Sequence, residues 1–136
     1  KDFMILTQEL TDEDIDQAFK TPSQLKDAGV TVVIGYESAW DSRSLAFAAG
    51  MAAKYGLGKT AALEAITLTP AKLLGVDKQL GSLDIGKSAS LIITNGDVMD
   101  YQTHRVQQMF IDGRRVDLNN RHRQLYEKYQ QKVAIK

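Results

Sequence analysis

The sequence contains no cysteine, and its 136 residues include only two histidines. The lack of cysteine excludes disulfide frameworks, thiolate metal sites and cysteine nucleophiles. The two histidines, His104 and His122, lie far apart in the sequence, so they do not form the closely spaced pair that binds zinc from one helix. We therefore expect the isolated chain to bind no catalytic metal and no other cofactor.

An excess of charge of either sign is also missing, because 17 Lys and Arg residues balance 17 Asp and Glu residues. Proteins that bind nucleic acid need an excess of cationic groups on one surface, and anionic membrane surfaces make a similar demand. No apolar run approaches the ~20 residues of a transmembrane helix, and the first residues lack the features of a signal peptide. We expect neither nucleic acid nor a membrane as a partner.

The composition is that of a globular domain, with 43% hydrophobic and 25% charged residues, and a chain of this length can bury a core. Near its start, the apolar run at residues 3–6 predicts a strand. Thr11 and the acids that follow it predict a helix that runs to about Phe19 and stops before Pro22. A second short helix is predicted over residues 23–28, ended by the glycine that follows it.

Residues 30–34, VTVVI, are all β-branched and almost all apolar, which predicts a strand buried on both faces, as in a parallel sheet. Residues 35–42 form the predicted loop after it, with Ser42 as the cap of the next helix. That helix, over residues 45–55, is rich in alanine and glycine, and we expect it to pack closely against its neighbours. Gly56 is predicted to end it.

The rest of the chain predicts two helices, a small β module and a final helix. These are a helix over residues 59–67, a helix from Thr69-Pro70 to Gly75, strands at residues 91–94 and 106–111, a hairpin turn at Asp112-Gly113, and a charged helix over residues 119–134 with Leu125, Tyr129 and Val133 on one stripe. The order predicts one β–α step of a parallel α/β unit followed by a small β module.

Four motifs, ordered and spaced as expected, resemble segments of the amidohydrolase superfamily. Residues 65–75 (AITLTPAKLLG), 80–93 (LGSLDIGKSASLII) and 110–116 (FIDGRRV) resemble motifs near the end of these enzymes. Residues 47–57 (FAAGMAAKYGL) resemble a helix of the imidazolonepropionase-like branch. The matches extend over roughly residues 21–118 and are more specific together than any one of them.

The resemblance implies the C-terminal region of a (β/α)8-barrel enzyme, whose barrel alone takes about 250 residues. Residues 1–75 would form the end of the barrel, with residues 30–35 as its last strand. Residues 76–118 would form the C-terminal share of a composite β-sandwich, and residues 119–136 a terminal helix. The expected fold class is therefore an α/β fragment that joins the last strand and helix units of the barrel to part of a small β-sandwich.

The resemblance also implies a divalent metal, with zinc as the expected ion, in the whole protein. The histidines that bind it in the family would lie before Lys1. One catalytic position falls inside the chain, because aligning residues 33–38 on the family's last-strand motif puts Glu37 where the family has Asp. That carboxylate binds the metal and accepts a proton from the metal-bound water. Glu37 is one methylene longer than Asp, and the alternative interpretation is an exposed loop carboxylate.

Two aromatic residues of the same loop, Tyr36 and Trp40, are candidates for lining a substrate pocket. Packing against the rest of the domain is the alternative for both. Where the family has two acids on either side of an alanine, this chain has Ser88 and Ser90. We expect this change to affect the surface and turn packing rather than the chemistry.

The resemblance therefore implies the C-terminal region of an amidohydrolase-like hydrolase that acts on C–N bonds of amides or cyclic amides, and we expect the isolated chain to be inactive because the metal-binding histidines are missing from it. The expected partners are the missing N-terminal part of the whole protein or other copies of this chain, since the faces around residues 30–34 would otherwise expose apolar surface and strand edges. The alternative is a free-standing, non-catalytic α/β interaction module derived from an amidohydrolase. Such a module would be monodisperse, with no large exposed apolar patch.

Overall fold

The computed structural model describes residues 14–133. The strand predicted at residues 3–6 and the helix start predicted at Thr11 lie outside the described residues. Within them the chain has a mixed α/β arrangement, in which a group of helices precedes a small antiparallel sheet. No helix between residues 14 and 133 combines the length and the apolar character needed to cross a bilayer.

The order of elements in the described part agrees with the predicted order from residue 45 onward. The elements are α1 (Gln17–Asp27), a 3₁₀ turn (Asp41–Ser44), α2 (Leu45–Ala52), a π-helical turn (Ala53–Leu57), α3 (Lys59–Ile66), α4 (Leu68–Leu73), β1 (Leu91–Asn95), β2 (Arg105–Ile111), β3 (Arg114–Arg115) and α5 (Arg121–Val133). The differences at the element ends are of one to a few residues, as is usual for helix and strand boundaries.

Helix α1 shows that the predicted break before Pro22 is wrong, because a single helix continues through that residue. Proline removes one backbone donor from a helix interior and usually interrupts it. Here Pro22 is fully buried, and the hydroxyls of Thr21 and Ser23 donate to the carbonyl oxygens of Gln17 and Lys20 at 2.8 Å. Tertiary packing at this position therefore outweighs the local preference.

Two helix ends do follow the signal in the sequence. After α1, Gly29 has a φ of +81°, and its N–H donates to Lys26 O while that of Val30 donates to Leu25 O, both at 2.9 Å. This pair of bonds is the Schellman arrangement, which favours glycine because its φ lies in the left-handed region. Gly75 ends α4 in the same way, with a φ of +71°.

The segment at residues 30–34 forms neither a helix nor a strand, which corrects the prediction of a strand buried on both faces. Val30 is 39% exposed and only Ile34 is buried. Apart from the Val30 N–H bond that closes α1, the backbone hydrogen bond that holds the segment runs from Ile34 N–H to Ala65 O at 3.1 Å. A strand forms only beside another strand that exchanges backbone hydrogen bonds with it, and the described residues place no strand beside this segment.

The core lies between α2, α3 and the turn that follows β1, and it is built largely from alanine. Its buried residues are Ile34, Ala49, Ala52, Leu57, Ala62, Ala65 and Met99. The close packing predicted for the helix over residues 45–55 is confirmed at Gly50, which faces the backbone of Met99. A methyl group added to Gly50 would overlap the carbonyl oxygen of Met99 and lie 3.1 Å from its carbonyl carbon.

The three strands form one antiparallel sheet in the order β1-β2-β3, with a bulge opposite Ile93 and Thr94. The predicted hairpin turn is confirmed, because Asp112 and Gly113 connect β2 to β3 with φ values of +49° and +75°. Positive φ at both central residues is the type I′ geometry that suits the twist of paired strands. The Asp112 carboxylate accepts a hydrogen bond from Ser88, and Ser90 Oγ accepts the Asp112 N–H at 3.1 Å. These serines therefore contribute to turn packing, as expected.

Helix α5 begins after Asn120, whose side-chain oxygen accepts the N–H of Arg123 at 3.0 Å. The stripe predicted from Leu125, Tyr129 and Val133 is present, but all three side chains are exposed, and α5 buries none of its residues. Within the described chain, the apolar stripe of this helix is therefore not used for packing.

The ion pair between Lys59 and Asp97 joins α3 to the turn after β1, with Nζ and Oδ2 2.9 Å apart. The hydrogen bond from Lys59, followed by that from the Met99 N–H, holds the pKa of the Asp97 carboxyl below its usual range. A lowered carboxyl pKa in the folded state stabilises the fold above the unfolded-state pKa of about 3.9. That contribution is lost as the pH falls through the folded-state pKa.

We therefore expect Asp97→Asn to lower the melting temperature by ~2 °C at pH 7, as for a solvent-exposed pair. The difference from the unmodified chain should shrink as the pH is lowered towards 3. Thermal melts followed by circular dichroism at pH 7 and pH 3 measure both effects. Asp77→Asn is the matched control, because Asp77 forms no side-chain hydrogen bond or ion pair within residues 14–133. An equal effect of both variants at pH 7 would contradict this account.

Candidate functional site

The candidate residues Tyr36, Glu37 and Trp40 lie in one loop that follows the segment at residues 30–34. Tyr36 is 42% exposed, Trp40 is 71% exposed, and Glu37 is exposed as well. The buried Ile34 fixes the start of this loop on the core. The loop therefore presents a carboxylate and two aromatic side chains to the surface from a point anchored in the core.

Short-range hydrogen bonds shape the turn at residues 38–42. Ser38 Oγ accepts the N–H groups of Trp40 and Asp41 at 3.1 and 3.3 Å, and Ser38 O accepts the Ser42 hydroxyl at 2.9 Å. The prediction that Ser42 caps α2 is wrong, because Ser42 lies inside the 3₁₀ turn that precedes the start of α2 at Leu45. Ser44 takes the cap position and makes no side-chain capping bond.

Trp40 and Arg43 form a stacked pair at the end of this turn. The guanidinium carbon of Arg43 lies 3.5 Å from the centroid of the indole ring, a distance typical of a cation–π contact. Arg43 Nε also donates to Trp40 O at 2.9 Å. The sequence interpretation did not single out Arg43. Its position three residues after Trp40 was the available signal, because residues at this spacing become neighbours in a helical turn.

The residues present do not by themselves fit a metal ion. Between residues 14 and 133 no group of three or more His, Asp and Glu side chains could hold one. Nδ1 of His104 lies 3.0 Å from Tyr101 O and 3.1 Å from Asp100 O, and its ring packs against Phe47 with centroids 4.8 Å apart. His122 lies on α5, away from the loop in sequence and exposed. Glu37 thus offers at most one ligand.

The structure places Tyr36, Glu37 and Trp40 on one exposed loop, as their sequence positions require, but it encloses none of them in a cavity formed by the described residues. A cleft of about 540 Å³ lies elsewhere, between the end of the sheet and α5. Gln108, Arg115 and Arg123 are among the residues that line it. The loop therefore does not form an enclosed site within residues 14–133.

Comparison with known proteins gives a consistent result. The sequence matches the amidohydrolase family over residues 14–116. The fold resembles the crystal structure of an amidohydrolase from Thermotoga maritima, with a TM-score of 0.70 and 28% identity over 83% of this chain. It also resembles the crystal structure of an uncharacterized protein, with a TM-score of 0.62 and 21% identity over 74% of this chain.

The chain spans 30% of the length of the Thermotoga amidohydrolase and 26% of the length of the uncharacterized protein. No curated protein matches the sequence.

Proposed function

Because the chain belongs to the amidohydrolase family, we propose that it is the C-terminal region of a hydrolase that cleaves C–N bonds in amides or cyclic amides. The observation that carries this proposal is the match over residues 14–116 to a family of hydrolases. The likeness to the Thermotoga amidohydrolase over 30% of that protein's length supports it. The resemblance of residues 47–57 to the imidazolonepropionase-like branch favours a small cyclic amide as substrate.

In this proposal the segment at residues 30–35 is the last strand of a barrel, and the sheet formed by β1, β2 and β3 belongs to a β-sandwich. The β-branched sequence of the segment supports this role, as does its exposed Val30, since no strand of the described chain lies beside it. The strands that would pair with this segment would belong to the preceding part of the whole protein. Copies of the same chain are the expected substitute when that part is absent.

Glu37 is the residue that we propose as the proton acceptor. Active sites of barrel enzymes lie at the carboxyl ends of the strands, and Glu37 follows residues 30–34 at that end. It is exposed and lies on a loop anchored by Ile34. Tyr36 and Trp40 would line the substrate pocket beside it. The described residues do not form a metal site, so ligands other than Glu37 would have to come from outside residues 14–133.

The isolated 136-residue chain is expected to retain less than about 0.1 zinc ion per chain after loading with zinc and dialysis. The reason is that a structural or catalytic zinc site takes three or four protein ligands, which the described residues do not bring together. Metal analysis by mass spectrometry measures the ratio, with Glu37→Gln as the matched control for weak binding at that carboxylate. One tightly retained ion per chain would contradict the proposal.

The proposal as a whole is tested by the mass of the native protein in its source cells. An antibody raised against this chain should detect a species several times heavier than 15.1 kDa, and the purified species should hydrolyse amides. A native species of 15.1 kDa without hydrolase activity would instead favour the free-standing interaction module. The exposed side chains of Leu83 and Ile85 do not fit the closed apolar surface expected of such a module.

A further inference from the structure

Helix α5 turns a polar side towards the sheet and its apolar stripe, Leu125, Tyr129 and Val133, outward. Arg123 and Glu127 line the cleft beside the sheet, and their Nε and Oε1 atoms form an ion pair at 3.1 Å. Each residue of a helix is rotated by about 100° from the one before it, so residues two positions apart lie on nearly opposite sides. Leu125 and Tyr129, two positions after these charged residues, therefore lie on the side away from the cleft.

This orientation is the reverse of the one that burial within a single domain favours. An amphipathic helix of a globular domain packs its apolar side against the domain and leaves its polar side in solvent. In α5 the side chains of Tyr129 and Val133 are 57% and 74% exposed, and the helix buries none of its 13 residues. A helix of this length is marginal in water without tertiary packing, so a partner that covers the α5 stripe would stabilise it.

A row of cations runs along one edge of the α5 stripe. Arg121, Lys128 and Lys132 are spaced by seven and four residues, so they lie on one side of the helix. All three are exposed, and none has an ion-pair partner in the described part of the chain. The one acid of α5, Glu127, is turned to the cleft. Two α5 stripes placed face to face would bring like charges together, so the charges favour an acidic partner.

The chain itself contains an acidic segment of matching charge. Its net charge of zero hides an uneven distribution, because residues 104–136 contain eight Lys and Arg and three Asp and Glu, a net charge of +5. Residues 1–16 contain one Lys and six Asp and Glu, a net charge of −5. Within them, residues 9–16 (ELTDEDID) combine five acids with Leu10 and Ile15. This segment therefore offers both the acids and the apolar side chains that the α5 stripe lacks as partners.

The described end of this segment is open to a second molecule. Ile15 is 99% exposed and Asp14 is exposed as well, so α5 of the same chain does not cover Ile15. Contact of Ile15 with the α5 stripe of another copy would remove apolar surface from water on both sides. The same contact would bring the acids of the segment to the row of cations.

We propose that the α5 stripe binds the acidic segment at residues 9–16 of a second copy of this chain. Because each copy carries both surfaces, two copies bind each other reciprocally and form a closed dimer with two equal contacts. The inference goes beyond the proposed function and does not depend on it, since neither surface contains Tyr36, Glu37 or Trp40.

Charge reversal in the full 136-residue chain tests this contact. One variant, Arg121→Glu/Lys128→Glu/Lys132→Glu, reverses the row of cations, and a second, Asp12→Lys/Glu13→Lys/Asp14→Lys, reverses acids of the segment. Sedimentation velocity at a series of protein concentrations measures the Kd of the dimer. We expect the unmodified chain to dimerise with a Kd below ~100 μM at an ionic strength of ~0.05 M, where screening is weak.

The two variants should each fail alone and succeed together. Each variant alone should dimerise at least ~10-fold more weakly than the unmodified chain, because repulsion replaces attraction at both contacts. An equimolar mixture of the two variants should form a mixed dimer with a Kd within ~3-fold of the unmodified value, because opposite charges meet again at both contacts. Association through any other surface would not show this recovery.

Further measurements separate this contact from a general effect of charge. Lys54→Glu/Lys72→Glu/Lys78→Glu is the matched control, because it changes the net charge equally at exposed lysines outside α5 and should leave the Kd within ~3-fold. Ile15→Ser should weaken the dimer at least ~10-fold, because apolar burial is lost while the charges remain. Raising the ionic strength to ~0.5 M should also weaken the unmodified dimer, because salt screens exposed charges.

A chain that stays monomeric at ~100 μM, single variants that dimerise as the unmodified chain does, or a mixture no stronger than either variant would overturn the inference. Binding to phosphatidylglycerol vesicles without any dimer would also overturn it and would identify an anionic membrane as the occupant of the α5 stripe. If circular dichroism shows that a triple variant has lost its helices, the salt series and Ile15→Ser decide instead. A dimer insensitive to both would contradict the proposed contact.

Discussion

Replacing Glu37 with glutamine is expected to lower amide hydrolysis by a factor of ~10²–10⁴, the usual contribution of a positioned general base. Glutamine keeps the length and the polarity of the side chain but does not accept a proton at neutral pH. Because the isolated chain is expected to be inactive, the measurement requires a hybrid protein. In it, this chain replaces the matching segment of the Thermotoga amidohydrolase, to which it is 28% identical, and kcat/KM is compared with and without the substitution.

Two further variants of the hybrid make the result specific. Glu37→Asp restores the residue type of the family and should retain or raise activity, because the carboxylate remains and its side chain becomes one methylene shorter. Glu64→Gln removes an exposed carboxylate on α3 and should leave kcat/KM unchanged. If Glu37→Gln keeps activity within about twofold while the hybrid remains folded, Glu37 is not the proton acceptor.

Replacing Gly50 with alanine should reduce the free energy of unfolding of the isolated chain by about 2 kcal/mol, within the range measured for overpacked cores. The added methyl group would overlap the carbonyl oxygen of Met99. Met99 cannot retreat freely, because its side chain is buried in the core and its N–H is bonded to the Asp97 carboxylate at 2.9 Å. The greater helix propensity of alanine offsets about 1 kcal/mol of the clash.

Urea denaturation followed by circular dichroism measures this effect, and Gly35→Ala is the matched control. A methyl group at Gly35 would have no atom within 4 Å, and its φ lies outside the left-handed region. That variant should therefore stay within about 0.5 kcal/mol of the unmodified chain. Equal stability of the two variants would mean that α2 and the turn at Met99 do not pack as described.

The features that the sequence determined by itself are those decided within a few residues. Gly29 and Gly75 end helices because the left-handed backbone needed there costs glycine little. Asp112-Gly113 makes a type I′ turn for the same local reason. The motifs at residues 65–75 and 80–93 identified the family because each has a fixed order of residue types that does not depend on what surrounds it.

Glu37, Tyr36 and Trp40 could be named from the sequence because aligning a motif needs no coordinates. The stacking of Arg43 on Trp40 could not, because a spacing of three residues brings two side chains together only if the backbone turns there. That turn depends on Ser38 accepting two backbone N–H groups. A serine two or three residues before a backbone N–H group does not always accept a hydrogen bond from it, so the sequence alone does not predict this turn.

Tertiary structure alone decided the course of α1 through Pro22 and the state of residues 30–34. Both depend on groups distant in sequence: burial compensates for the bond missing at Pro22, and a run of β-branched residues becomes a strand only beside another strand. The fit of Gly50 against Met99, separated by 49 positions in sequence, is of the same kind. Local preferences set the conformations available to each segment, and the contacts that cover the segment decide which of them is adopted.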